Sequence, residues 1–153
     1  MTTEAIIDAP AGEATADASD EILQLFHRWN DALTTGGPAR VAALYGPGAV
    51  LVPTLSNTLR TTPDEILAYF EKLIRELKPR VTLVGTPTIR FFGTTAISSG
   101  IYTFHFDANG KSADARYTFA YHRTGGGWLI SAHHSSLLYK EMVAGKAGLD
   151  PSF

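Results

Sequence analysis

The sequence predicts an α+β domain in which helices from the first half of the chain pack on one face of a bent, mainly antiparallel sheet built from the second half. Three observations predict it. Up to Pro79 the apolar residues recur at steps of three and four, the period of a half-buried helix. Beyond Pro79 they run in extended, β-branched and aromatic stretches, with reversals marked by Asn109-Gly110 and Gly125-Gly126-Gly127. Helices therefore come first and strands afterwards, the order of an α+β domain rather than of alternating βα units.

Met1 to Ala18 is rich in Ala, Thr, Asp and Glu and is broken by Pro10 and Gly12, so residues 1–18 read as a loose leader. The domain proper is expected over 19–138, with 139–153 as a tail. Ser19 suits a helix N-cap, because Asp20 and Glu21 then fall in the first turn. Ile22, Leu23, Phe26, Trp29 and Leu33 give this helix one apolar face, and Gly36-Gly37-Pro38 stops it. A short helix over Ala39 to Tyr45 and a brief strand over Val50 to Thr54 follow. Thr62-Pro63-Asp64-Glu65 then starts a helix with Thr62 as cap, Pro63 at the first position and Glu65 completing a capping box. Ile66, Leu67, Phe70, Leu73, Ile74 and Leu77 form its buried stripe.

Four strands are expected: Arg80 to Phe91, bent near Gly85 and Pro87, then Thr95 to Phe106, Ala113 to Arg123, and Trp128 to Ser136. A two-residue Asn109-Gly110 turn would pair Ala108 with Lys111, Phe104 with Ala115, Tyr102 with Tyr117, Thr103 with Arg116 and His105 with Asp114. One face then carries Tyr102, Phe104, Phe106, Tyr117, Phe119 and Tyr121, and it is assigned to the interior. Ile101, Thr103, His105, Asp114, Arg116 and Thr118 share the other face, turned to solvent or to a second subunit. The glycine turn before Trp128 leaves two registers open. A Gly125-Gly126 turn sets His134 opposite Tyr117 on the aromatic face, whereas a three-glycine loop brings His133 and Ser135 there.

With 153 residues, 44% hydrophobic and 18% charged, the chain has material for one core. A formal net charge of -2 provides no field to gather nucleic acid or anionic lipid, so neither is expected as a partner. No apolar run approaches the roughly 20 residues that span a bilayer, and Glu4 and Asp8 stand where a secretory signal would carry Lys or Arg. A cytoplasmic location is the expectation. The absence of cysteine excludes disulfides and thiolate chemistry.

The succession Trp29-Asn-Asp-Ala-Leu33, Val41-Ala-Ala-Leu-Tyr45, Leu51-Val-Pro-Thr54, Gly100-Ile-Tyr-Thr-Phe104, Arg116-Tyr-Thr-Phe119 and Trp128 with His133-His-Ser-Ser136 resembles the association domain of calcium/calmodulin-dependent protein kinase II and its stand-alone bacterial relatives. The resemblance implies membership of the SnoaL-like, nuclear-transport-factor-2-like group and a cystatin-like cone of sheet around a pocket. It covers about Ser19 to Ser136, and it places Phe119 and Ser135 at positions that line that pocket.

Chemistry concentrates at the end of the last strand. His133 or His134, one of the two, could act as a general base, since imidazole titrates near neutrality. Tyr102 and Tyr117 could donate to a developing oxyanion, or they could be core rings with satisfied hydroxyls. Ser135 and Ser136 lack the Gly-x-Ser-x-Gly elbow of a nucleophile. No metal site is expected, because neighbouring histidines on a strand point to opposite faces. No cofactor is expected either. The sequence therefore supports a small-molecule-binding, self-associating domain whose apolar pocket is polar at one wall, with Trp29, Tyr102, Tyr117, Phe119, Ser135 and Ser136 around the ligand. The partners expected are a small organic ligand and a second copy, docked through the outer sheet face as a dimer. The alternative is a small cofactor-independent enzyme of isomerase, dehydratase or oxidoreductase type, with a His base and a Tyr donor.

Overall fold

A computed structural model describes residues 12–13 and 15–139. The rest of the expected leader and residues 140–153 lie outside the described residues. In chain order the elements are β1 (Gly12–Glu13), α1 (Ala16–Asp31), a π-helical turn (Ala32–Gly36), α2 (Pro38–Ala42), β2 (Tyr45–Val52), α3 (Pro63–Leu77), β3 (Pro79–Phe92), β4 (Thr95–Phe106), β5 (Lys111–Thr124) and β6 (Gly127–Leu137). The six strands form one sheet in the order β1-β3-β4-β5-β6-β2. All neighbours are antiparallel except β2, which runs parallel to β6.

The helices begin and end on local chemistry. Thr15, not Ser19, caps α1: its Oγ1 accepts from Ala18 N at 3.3 Å, and Asp17 occupies the first turn. The earlier cap adds four residues, just over one turn, to the helix. Ile22, Phe26 and Trp29 are its buried residues. At its far end the coil widens into the π turn, where both Ala32 and Leu33 are buried and the Thr34 and Thr35 hydroxyls donate to Asn30 O and Asp31 O. Thr62 caps α3 as expected, accepting from Glu65 N at 3.2 Å and donating to Glu65 Oε1 at 2.9 Å. Tyr45 belongs to β2 rather than to the second helix. Gly46-Pro47-Gly48 does not reverse the chain; it forms an irregularity inside β2, between the pairs Tyr45–Ile130 and Val50–Ala132.

Two hairpins decide which side chains meet. The β4–β5 hairpin closes over four residues, Asp107 to Gly110, with Phe106 paired to Lys111. A two-residue turn of the expected type needs positive φ at both central residues, and only Gly110 (φ 70°) has it. The loop is instead tied to the end of α3, with Asp107 N and Ala108 N donating to Lys78 O and Leu77 O at 3.1 and 3.3 Å. The register thus slides by two residues from expectation: Tyr102 faces Ala115, Thr103 faces Asp114, and Gly100 faces Tyr117. A slide of two leaves each side chain on its expected face, so the aromatic residues stay inside. His105 and Asp114 do not pair; His105 Nε2 lies 2.9 Å from Thr82 Oγ1, and Asp114 accepts from Thr103 Oγ1 at 2.8 Å.

The β5–β6 hairpin closes on Gly125-Gly126, pairing Thr124 with Gly127. Ser131 then stands unpaired in a bulge between the pairs Tyr121–Ile130 and Ala120–Ala132. One extra residue inverts the faces of everything after it. His133 consequently lies opposite Phe119 and Ser135 opposite Tyr117, the arrangement expected of the longer loop but reached by a different route.

The core lies between α1, α3 and the inner sheet face, and nearly every ring of the sheet belongs to it. Asn30 ties α1 to the edge of β3 by a reciprocal amide pair, donating to Val81 O at 2.8 Å and accepting from Val81 N at 2.9 Å. Opposite Gly100, the Tyr117 ring lies across the glycine: a Cβ built there would be 3.0 Å from Tyr117 Oη and 3.4 Å from the Pro87 backbone. Gly100→Ala should therefore destabilise the fold by about 1–3 kcal/mol, as overpacking in a dense core does. Urea unfolding would read this as a lower midpoint with unchanged slope.

Candidate functional site

The β6 bulge carries the imidazole of His133 inward, 3% exposed, flat against Phe119 with ring centroids 3.9 Å apart and planes 17° apart. Trp29 of α1 meets its edge at 5.5 Å. Both ring nitrogens are bonded. Nδ1 lies 2.9 Å from Tyr45 Oη, and Nε2 lies 3.1 Å from Tyr102 Oη. Tyr45 Oη also accepts from Trp29 Nε1 at 3.2 Å, while Tyr102 donates to Ser135 Oγ at 2.6 Å. Ser135 in turn bonds the hydroxyl of Thr54, at the end of the β2 segment.

Within this network only one placement of protons satisfies every member. The indole of Trp29 can only donate, and Tyr102 donates to Ser135, so Tyr102 Oη must accept from the ring. His133 is then the neutral Nε2–H tautomer, with Nδ1 accepting from the Tyr45 hydroxyl. Donation runs in one direction: Trp29 to Tyr45, to His133, to Tyr102, to Ser135, to Thr54. Four separate segments, α1, β2 with its end, β4 and β6, are joined by it.

Electrostatics reinforce the same state. Burial, and secondarily His134 alongside, lowers the His133 pKa to about 3. Burial likewise raises the Tyr45 and Tyr102 hydroxyls well above the ordinary phenol range. The whole network is therefore uncharged near neutral pH. Around it the interior is full: between Trp29, Thr54, Tyr69, Tyr102, His133 and Ser135 the cavity is about 10 Å³, room for one water.

Of the residues singled out by the sequence, Trp29, Tyr102, Phe119, His133 and Ser135 come together here, and Tyr117 packs against Tyr102 with centroids 4.4 Å apart and planes tilted by 30°. His134 and Ser136 stand on the outer face, where Ser136 Oγ accepts from Arg116 Nε at 3.2 Å. Sequence reasoning missed Tyr45 and Thr54 as members of the network. No local signal marks either one, since each joins the network through the last strand, 88 and 81 residues away. Among the described residues no three His, Asp or Glu side chains converge as a metal site would require, and no helix is long and apolar enough to cross a membrane.

An α+β arrangement of this topology, helices packed on the aromatic face of an open mixed sheet, is the fold of nuclear-transport-factor-2-like, cystatin-like proteins. The chain belongs to the calcium/calmodulin dependent protein kinase II association domain family, whose model matches residues 18–138. It is similar to the crystal structure of a candidate association domain of that family from Xanthomonas campestris, at 43% identity over 77% of this chain and 86% of that one, with a TM-score of 0.71. It shares the fold of a nuclear-transport-factor-2-like superfamily protein from Salmonella enterica, at 18% identity over 88% and 100% of the two chains and a TM-score of 0.71. A candidate dehydratase from Streptomyces avermitilis shares it too, at 14% identity over 82% and 100%, with a TM-score of 0.72. Among curated proteins none matches the chain.

His133 should make folding sensitive to acid with a definite sign. Its pKa is lower folded than unfolded, so its contribution is complete above pH 6.5 and is lost as pH falls from 6.5 towards 3. Between those limits the loss is about 1.4 kcal/mol per pH unit. His133→Gln cannot titrate, so the stability difference between wild type and variant, measured by denaturant unfolding at several pH values, should shrink on acidification. His133→Ala should cost about 3–5 kcal/mol at pH 7, since it leaves a cavity and two phenols without their partner.

Proposed function

We propose that the chain is a self-associating domain that forms a dimer through the outer face of β4, β5 and β6, while the His133 network holds the protomer together from within. The observation that carries this reading is the composition of that face. Ile101 of β4 and Val84 of the adjoining β3 pair there, 37% and 53% exposed. Asp114 and Arg116 stand beside Ile101 on β5, two residues apart, and neither is ion-paired to the other. A two-fold axis crossing β5 would bring Arg116 of each copy against Asp114 of the other, the self-complementarity an isologous interface requires. The family's description as an association domain agrees with this reading.

The alternative, an enzyme with His133 as base and Tyr102 as donor, needs a ring nitrogen free for substrate. Here Nδ1 and Nε2 are both bonded and the adjoining space admits about one water. We therefore favour assembly over catalysis.

Light scattering should give twice the 16.5 kDa chain mass. Arg116→Asp and Asp114→Arg, each alone, set like charges against one another across the two-fold axis and should weaken association at least tenfold, in line with the several kcal/mol such contacts cost. The double exchange restores opposite charges and should restore the dimer. A wild-type monomer, or single variants that associate as wild type does, would refute the interface.

A further inference from the structure

The interior is filled, but a groove lies directly outside it. It runs between α3 and the segment that follows β2, has a volume of about 320 Å³, and shares Tyr69 and Leu73 with the wall of the inner cavity. That volume is at the lower end of the range for small-molecule sites. Its lining divides into two kinds. Leu55, Leu73, Leu77 and the Tyr69 ring form an apolar floor and rim, with Leu55 46% exposed. Arg60 and Lys72 bring two cations to the same groove.

The placement of Arg60 is the informative feature. It is only half exposed, and its backbone is fixed by reciprocal bonds with Leu51, N to O at 2.9 Å in both directions. Its guanidinium lies 5.2 Å from the Tyr69 ring centroid, and Nη1 donates to Thr58 O and to Ser56 Oγ. No carboxylate of the described residues lies within ion-pair distance of it or of Lys72. The groove's own acid, Glu76, has Arg75 as its nearest cation, at 3.9 Å. A held, partly buried guanidinium without a counter-ion, beside a second cation and above exposed leucine, matches a ligand with a charged head and an oily body.

We infer that this groove binds an amphipathic organic anion, its carboxylate between Arg60 and Lys72 and its hydrocarbon body along Leu55, Leu73, Leu77 and Tyr69. The site is separate from the outer sheet face, so it stands or falls independently of the dimer. The small organic ligand expected from the sequence is thereby moved from the interior to its outer wall.

The test uses octanoate as probe, with acetate and 1-octanol as controls that keep only the head or only the chain. Titrated into the ¹⁵N-labelled full chain, octanoate should shift amides of 55–60 and 69–77 with saturation. Acetate and octanol should bind at least tenfold more weakly. Arg60→Gln should weaken octanoate about tenfold, the factor expected for one charge-assisted contact, with amide dispersion elsewhere unchanged. If that variant does not fold, Lys72→Gln on the exposed helix face serves instead, with the same expected direction. Octanol binding as tightly as octanoate, octanoate affinity unaltered in a folded variant, or no saturable shift in these segments would overturn the proposal.

Discussion

An imidazole sealed among aromatic rings must be neutral and must have both nitrogens bonded, because nothing else can replace the water it has lost. That requirement organises this protein. Meeting it takes a phenol on each side of His133, and those phenols come from β2 and β4, on opposite sides of the strand that carries the ring. Trp29 from α1 orients one end of the chain of bonds, and Ser135 with Thr54 closes the other. Helix, parallel edge strand and hairpin are thus positioned by one set of directional contacts, within a core whose remaining cohesion is aromatic packing.

The bulge at Ser131 is the small feature on which the arrangement turns. With regular pairing beyond the Gly125-Gly126 turn, His134 and Ser136 would face the core, and His133 and Ser135 would face outward. The outer face would then lose the exposed polar side chains that flank Arg116, and the core would present its phenols with different partners. A single unpaired residue therefore decides the chemistry of both faces of the sheet.

Much of this could be read from the sequence, and the reasons differ from element to element. Helix α3 carries its cap, its first-position proline and its apolar stripe within a few residues, so local chemistry alone defined it. Strands β3 to β6 are long and rich in β-branched and aromatic residues, and the assignment of rings to the interior survived a register error because that error was an even number. The β5–β6 pairing was not recoverable, since nothing about Ser131 marks it as the residue a ladder will skip. Tyr45 and Thr54 were missed for a related reason. Their roles depend on contacts made 88 and 81 residues away, which no local period encodes. The expected hollow was read from the fold's resemblance to pocketed relatives, whereas here Trp29, Tyr69, Phe70, Tyr102 and Phe104 fill it to about 10 Å³.

The central claim concerns the proton on one ring, and ¹⁵N NMR of the His133 imidazole tests it most directly. The account predicts the pattern of a neutral Nε2–H tautomer that does not change between pH 7.5 and about 5. A His133 ring that becomes imidazolium over that interval, or that carries its proton on Nδ1, would contradict the direction of the network and with it the account of what holds the fold together.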